Sequence, residues 1–302
     1  MLVCCAAGCG VPGSGVRPDT VDGVLNIGDL IFRAYQAAQQ ENSLIRGTGP
    51  QQEDYIESLL GDGRLTIGLG IGTRDLGRVA VPEDPDVAVS RGEYSISGKK
   101  ILVEGRLILS RTDFLKAIAE CEVVFVTSHS RFGAGPVFLR DGLAHPFRMQ
   151  QTNGYDIVMP ETEVKGYQGT VKRRFTGPLG RKGYVVFHPS SSELNSAVPL
   201  HGYQMLVLST CTSKKHFLDE IAELRKPFPT TAVFTTRACC MDTRFRIFMR
   251  LLSGIFQERP IEEIVAGMNE EYRNVAWEHV RRRIPPWKVI NRLYTIGINT
   301  IP

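Results

Sequence analysis

What the 302-residue sequence lacks narrows its function before any motif is considered. It has no run of 18 apolar residues, so no segment reads as a membrane-spanning helix. It has no C-x-x-C pair, and Cys211 with His216 makes a poor zinc pair, which argues against a metal centre. The G-x-S-x-G elbow of serine hydrolases is missing, and no internal repeat or low-complexity segment occurs. Charge of one sign is also scarce. The 36 basic and 32 acidic residues leave a net charge of +4, too mild a bias for a dedicated nucleic-acid binder. The basic sets at 165–182 and 281–292 read as solvated faces. The seven cysteines (Cys4, Cys5, Cys9, Cys121, Cys211, Cys239 and Cys240) are odd in number and clustered, unlike a secreted disulfide framework. A reducing, cytoplasmic setting is the simplest reading.

What is present is enough for a full core: 42% of residues are hydrophobic. One α/β domain is expected over 21–302, preceded at 1–20 by a flexible segment or the remnant of an export signal. Met1–Cys9 (MLVCCAAGC) is similar to the tail of a bacterial lipoprotein signal, but it carries no basic n-region and its apolar part is short. Lipid anchoring at Cys9 is the alternative to cytoplasmic residence if the true start lies upstream. Gly8, Gly10 and Gly13 spell G-x-G-x-x-G. A dinucleotide fingerprint must open a helix, however, and Pro12 and Pro18 mark an irregular segment.

Further along, Asp29 is positioned to cap a helix through Leu30, Ile31, Ala34 and Ala38, and Glu53–Leu60 reads as a helix capped by Gly61. Arg64–Ile71 alternates like a strand, with Gly68 and Gly70 marking close packing. Residues 73–92 read as loop, then Glu93–Ser97 and Lys100–Glu104 as a hairpin through Gly98. A helix starts at Thr112 or Asp113. Between 140 and 200 lie short β-like pieces (Tyr155–Met159, Glu163–Tyr167, Thr170–Phe175, Tyr184–Phe187), an expected β-rich insertion. Thr231–Thr236 is a further buried strand, and Met241–Gly254 and Pro260–Arg283 are amphipathic helices.

Two stretches carry the chemistry. Met205–Leu208 is a buried apolar run that gives way to Thr210-Cys211-Thr212-Ser213 and then to a helix with Phe217, Leu218, Ile221 and Leu224 at helical spacing. Glu122–Thr127 is a second such strand, followed by Ser128-His129-Ser130. Helix–strand–loop repetition predicts a mainly parallel central sheet with helices on both faces, a three-layer sandwich. All its strands then end at one edge, where open α/β sheets build sites. His129 and Cys211 each stand two residues past a strand end. On neighbouring strands, roughly 5 Å apart, they come within reach of one another. The helix dipole beside Cys211 favours a thiolate. Imidazole can take the thiol proton and return it to a leaving amine, while backbone N–H groups at Cys211 and Ser130 hold a developing oxyanion. His201, at the start of its strand, belongs to the opposite edge.

VVFVTSHS at 123–130 and MLVLSTC at 205–211 resemble the caspase–gingipain–legumain clan of cysteine peptidases. The resemblance spans roughly 95–265. It implies a caspase-like fold with the β-rich insertion at about 140–200, His129 as general base, Cys211 as nucleophile, a peptide or protein substrate, and no cofactor. The chain departs from the clan at Ser130, where glycine is usual, and at Ser209–Ser213, which does not match Q-A-C-x-G. A caspase-like fold kept as a non-catalytic interaction module is the alternative reading.

Overall fold

Seven strands form one sheet, and most of their sequence is apolar enough to be covered on both faces. The structure is a computed structural model. It describes residues 20–21, 24–41, 53–72, 88–128, 136, 138, 157–160, 170–176, 182–187, 197–210, 213–236, 244–281 and 293–296. In chain order the elements are β1 (Thr20–Val21), β2 (Val24–Leu25), α1 (Ile27–Glu41), α2 (Glu53–Leu60), β3 (Arg64–Ile71), β4 (Val89–Ile96), β5 (Lys99–Ile108), α3 (Arg111–Glu120) and β6 (Val123–Ser128). There follow β7 (Ile157–Pro160), β8 (Thr170–Thr176), β9 (Lys182–Phe187), β10 (Gln204–Thr210), α4 (Ser213–Arg225), β11 (Thr230–Thr235), α5 (Arg244–Phe256), α6 (Ile261–Arg281) and β12 (Leu293–Ile296).

The sheet order is β12-β11-β10-β6-β3-β5-β4. The five inner strands are parallel, and β12 and β4 close the edges antiparallel. Alternate side chains of β6, β10 and β11 enter two separate cores, as the pleat requires, whereas β3 feeds only one. Val123 and Phe125 of β6 join Met205 and Val207 of β10 beneath α1, α2, α5 and α6. Val124 and Val126 join Leu206 and Leu208 beneath α3 and α4. The architecture is thus α/β with helices on both faces, compatible with a three-layer sandwich. Strands β7, β9 and β8 form their own three-stranded antiparallel sheet, while 163–167 lies outside the described residues.

Gly68 and Gly70 are sites of close approach. A Cβ at Gly68 would stand 2.8 Å from Ile108 Cδ1, and one at Gly70 2.9 Å from Phe138 Cε1. The β4–β5 hairpin turns on Ser97 and Gly98, both at positive φ (47° and 81°), which matches the twist of a two-residue hairpin.

Several boundaries differ from the sequence expectation. Helix α1 begins at Ile27, so Asp29 lies inside its first turn, and Asn26 Oδ1 accepts from Gly28 N–H at 2.8 Å. Helix α2 does end before Gly61, but the left-handed residue is Gly63 (φ 78°). Helix α3 is capped by Ser110, whose hydroxyl accepts from Asp113 N–H while the Asp113 carboxylate accepts from Ser110 N–H. Strand β4 starts at Val89, inside the stretch read as loop. Apart from Val89 its outward side chains are polar, so pairing to β5 makes it a strand rather than an apolar signal of its own.

Glu104 on β5 is buried, and its carboxylate accepts from Arg91 Nε at 2.8 Å and Arg106 Nη2 at 3.0 Å, with Arg64 at 3.6 Å. The Arg91 hydrogen bond is the leading cause of a pKa below the ordinary glutamate value. Arg64 and Arg91 are more than half exposed, so screening limits the expected cost of Glu104→Gln to about 1–2 kcal/mol at neutral pH. A lowered carboxylate pKa contributes stability above the unfolded value, and that contribution is lost as pH falls through the folded one. Denaturant midpoints of wild type and variant should therefore separate at pH 7 and converge in acid.

Candidate functional site

The strands that lead to His129 and Cys211 are direct neighbours. Strand β6 pairs with β10 in parallel, in continuous register from Val123↔Met205 to Ser128↔Thr210. The last residue of one strand therefore faces the last residue of the other. His129, Ser130 and Cys211 themselves lie outside the described residues.

The described rim at these strand ends is built of buried hydroxyl side chains. Thr127, Ser128, Ser209, Thr210, Ser213 and Thr235 are all at most 1% exposed. On β10, Ser209 Oγ is hydrogen-bonded to Tyr272 OH, which ties α6 to the strand end. Ser213 and Thr235 form a reciprocal pair. Ser213 Oγ donates to Leu208 O at 2.6 Å and accepts from Thr235 N–H at 2.8 Å. Thr235 Oγ1 donates to Thr210 O and accepts from Ser213 N–H at 3.4 Å. Thr210 at the end of β10 and Ser213 at the start of α4 are thus both fastened to β11. Thr127 Oγ1 and Thr210 Oγ1 are also fully buried, and neither has a hydrogen-bond partner among the described residues.

Electrostatically, the first turn of α4 has no acidic residue and includes Lys214. Although Ser213 N–H is taken by Thr235, the amino-terminal end of the α4 dipole makes this end of the sheet favourable to an anion. Cys121 provides the contrast. It is buried, and burial pushes its thiol up to about 12, which makes it inert at neutral pH. Among the described residues no group of three or more histidine, cysteine or acidic side chains is placed to hold a metal ion. No described helix is long and apolar enough to cross a membrane.

No known protein family, curated protein or solved structure matches the chain.

A cleft of about 580 Å³ lies at the other end of the strands. Glu57, Asp62, Arg64, Thr66, Arg106, Glu122 and His201 are among its walls. Glu122 is held there by Thr66, whose N–H and hydroxyl both donate to Oε2 (2.7 and 3.0 Å). Burial raises the Glu122 pKa while these two hydrogen bonds oppose the rise. His201 belongs to this amino edge, as expected, and its ring packs on Phe228 at 4.9 Å.

The sequence points to His129, Ser130 and Cys211, just past the ends of these two strands, and gives no motif for the hydrogen-bonded hydroxyl groups at the strand ends. Thr210, Ser213, Thr235 and Tyr272 carry no motif. The available signal was a change in composition, with apolar strands giving way to hydroxyl residues at LST, TCTS and FTT.

Proposed function

We propose that the chain is a cysteine endopeptidase with a caspase-like arrangement of its dyad. The observation that carries this reading is the parallel register of β6 and β10, which ends with Ser128 opposite Thr210. His129 and Cys211 are each the next residue in the chain after one of these two strand ends, and consecutive Cα atoms are about 3.8 Å apart, which supports reading them as a pair. The rim of buried hydroxyl groups, two of them without a partner among the described residues, supports a polar site there.

In this reading His129 takes the Cys211 thiol proton, and the thiolate attacks the carbonyl carbon of the scissile peptide bond. The carbonyl oxygen becomes an oxyanion against the N–H groups of Cys211 and Ser130. Collapse expels the amine, protonated by His129, and leaves a thioester on Cys211. Water, deprotonated by His129, cleaves the thioester, releases the acid product and restores the thiol.

The test combines cleavage of a peptide library with mapping of a thiol-directed electrophile at pH 7. Cleavage together with labelling at Cys211, and none at Cys121, is the expected result. A wild-type protein that cleaves no library member, with a Cys211 thiol of ordinary pKa near 8.5, would overturn it in favour of a non-catalytic interaction module.

A further inference from the structure

We propose that the cleft at the amino edge of the sheet binds an aliphatic di- or polyamine, with Asp62 and Glu122 as the two carboxylates that receive its ammonium groups. The inference stands apart from the peptidase reading, because this cleft lies where the strands begin. Its volume of about 580 Å³ falls within the range of small-molecule sites. One wall, Leu200 to Tyr203, is fixed in advance. Leu200 N–H donates to Ile118 O at 3.1 Å, and the buried Arg225 guanidinium donates to Leu200 O and Gly202 O. Tyr203 OH donates to Thr231 Oγ1 at 2.7 Å.

Charge selects the ligand. Arg106 is engaged by Glu104 Oε1 at 3.0 Å and Glu120 Oε2 at 2.5 Å, and Arg64 lies 3.6 Å from Glu104 Oε2. Glu57 pairs with Lys99 at 3.5 Å. Asp62 and Glu122 remain, and among the described residues neither belongs to an ion pair. Asp62 Oδ1 accepts the Arg64 backbone N–H at 2.9 Å. Glu122 Oε2 takes both Thr66 donors, which leaves Oε1 with no hydrogen bond among the described residues. Burial raises the Glu122 pKa, and the negative charge of Asp62 adds to the rise, so the two carboxylates are close enough to act on each other. A cation between them would relieve both. Helices α2 and α3 also end at this cleft without a basic residue in the last turn, and their carbonyl ends favour positive charge. Among the described residues no group of three or more histidine, cysteine or acidic side chains is placed to hold a metal ion. A compact divalent ion, which takes about six oxygen ligands or more, is poorly served by such a pair. Ammonium groups on a flexible chain can instead reach each carboxylate separately through charged hydrogen bonds.

The experiment is isothermal titration calorimetry of the full chain at neutral pH and low salt, with putrescine, spermidine, n-butylamine and Mg²⁺ as probes. Putrescine and spermidine should bind with Kd below about 1 mM and at least about 10-fold more tightly than n-butylamine, which carries one ammonium group. Glu122→Gln keeps an acceptor for Thr66 but removes the charge. This variant and Asp62→Asn should each weaken spermidine binding by about 10-fold or more. Glu93→Gln, on the edge strand β4, removes an exposed carboxylate away from the cleft and should leave the affinity unchanged. Absence of binding, spermidine displaced by an equal concentration of Mg²⁺, or an affinity unchanged in Glu122→Gln or Asp62→Asn would overturn the proposal. So would an equal loss in Glu93→Gln, the signature of diffuse surface charge. If either cleft variant does not fold, His201→Lys takes its place. His201 is exposed in the cleft wall, and a lysine there would bring a competing cation. Spermidine affinity unchanged by it would equally overturn the proposal, and a loss of about 10-fold would support it.

Discussion

Alanine at Cys211 is expected to lower kcat/KM on a cleaved peptide by at least about 10⁴-fold, and alanine at His129 by about 10²–10⁴-fold. The two losses should not add. In the proposed mechanism nucleophile and base serve one step, so the double variant should match Cys211→Ala alone. An imidazole beside the thiol would also favour the thiolate. His129→Ala should therefore move the Cys211 alkylation profile towards higher pH, up to the ordinary value near 8.5. Steady-state kinetics on the three variants, with alkylation rates between pH 5 and 10 for wild type and His129→Ala, would check this. Additive losses, or an alkylation profile indifferent to His129, would separate the two residues and end the dyad.

The largest stability effect is expected at Arg225, in the last turn of α4. Its side chain is fully buried, and among the described residues no carboxylate is one of its hydrogen-bond partners. Nε donates to Thr230 Oγ1 at 2.8 Å, Nη1 to Leu200 O, and Nη2 to Gly202 O at 2.6 Å and Pro229 O at 3.3 Å. The guanidinium also lies 5.2 Å from the centre of the Phe228 ring. Burial lowers its pKa to about 10, so it remains charged at neutral pH and the surrounding carbonyl dipoles carry the compensation. These acceptors belong to the segment that enters β10 and to the turn that enters β11. One side chain therefore holds two strand starts together. Arg225→Met would leave several acceptors buried and unpaired, at an expected cost of about 3–5 kcal/mol. That is a large share of the roughly 5–15 kcal/mol that stabilises an ordinary domain. Arg225→Lys keeps a charge but not the planar fork, and should fall between. Guanidinium unfolding would check the order, and a methionine variant within 1 kcal/mol of wild type would refute the account.

Much of the fold was legible because the inner strands are buried on both faces. Arg64–Ile71 was delimited as observed, and 122–127, 205–208 and 231–236 were located to within one or two residues because continuous β-branched and apolar runs have few other uses. The edge strand was less legible. Val89–Ile96 alternates mostly with polar side chains, and its partner extends past Glu104 to Ile108. The caps were missed for a different reason. Ser110 competes with nearby Thr112 and Asp113, all acceptable caps, and only three-dimensional reciprocity selects among them. At the site, type and spacing singled out Cys211 and His129. The supporting hydroxyl groups were not legible, because Thr235 meets Thr210 across 25 positions and Tyr272 meets Ser209 across 63.

The fastening of Thr210 and Ser213 to β11 has a practical corollary. With Thr210 and Ser213 both pinned to β11, an exchange between them should leave these neighbours in place. A cysteine-to-serine version at position 211 should therefore fold like the parent. If the peptidase proposal holds, it becomes bait: substrates that enter would dwell uncut, and could be identified from what the inert form retains.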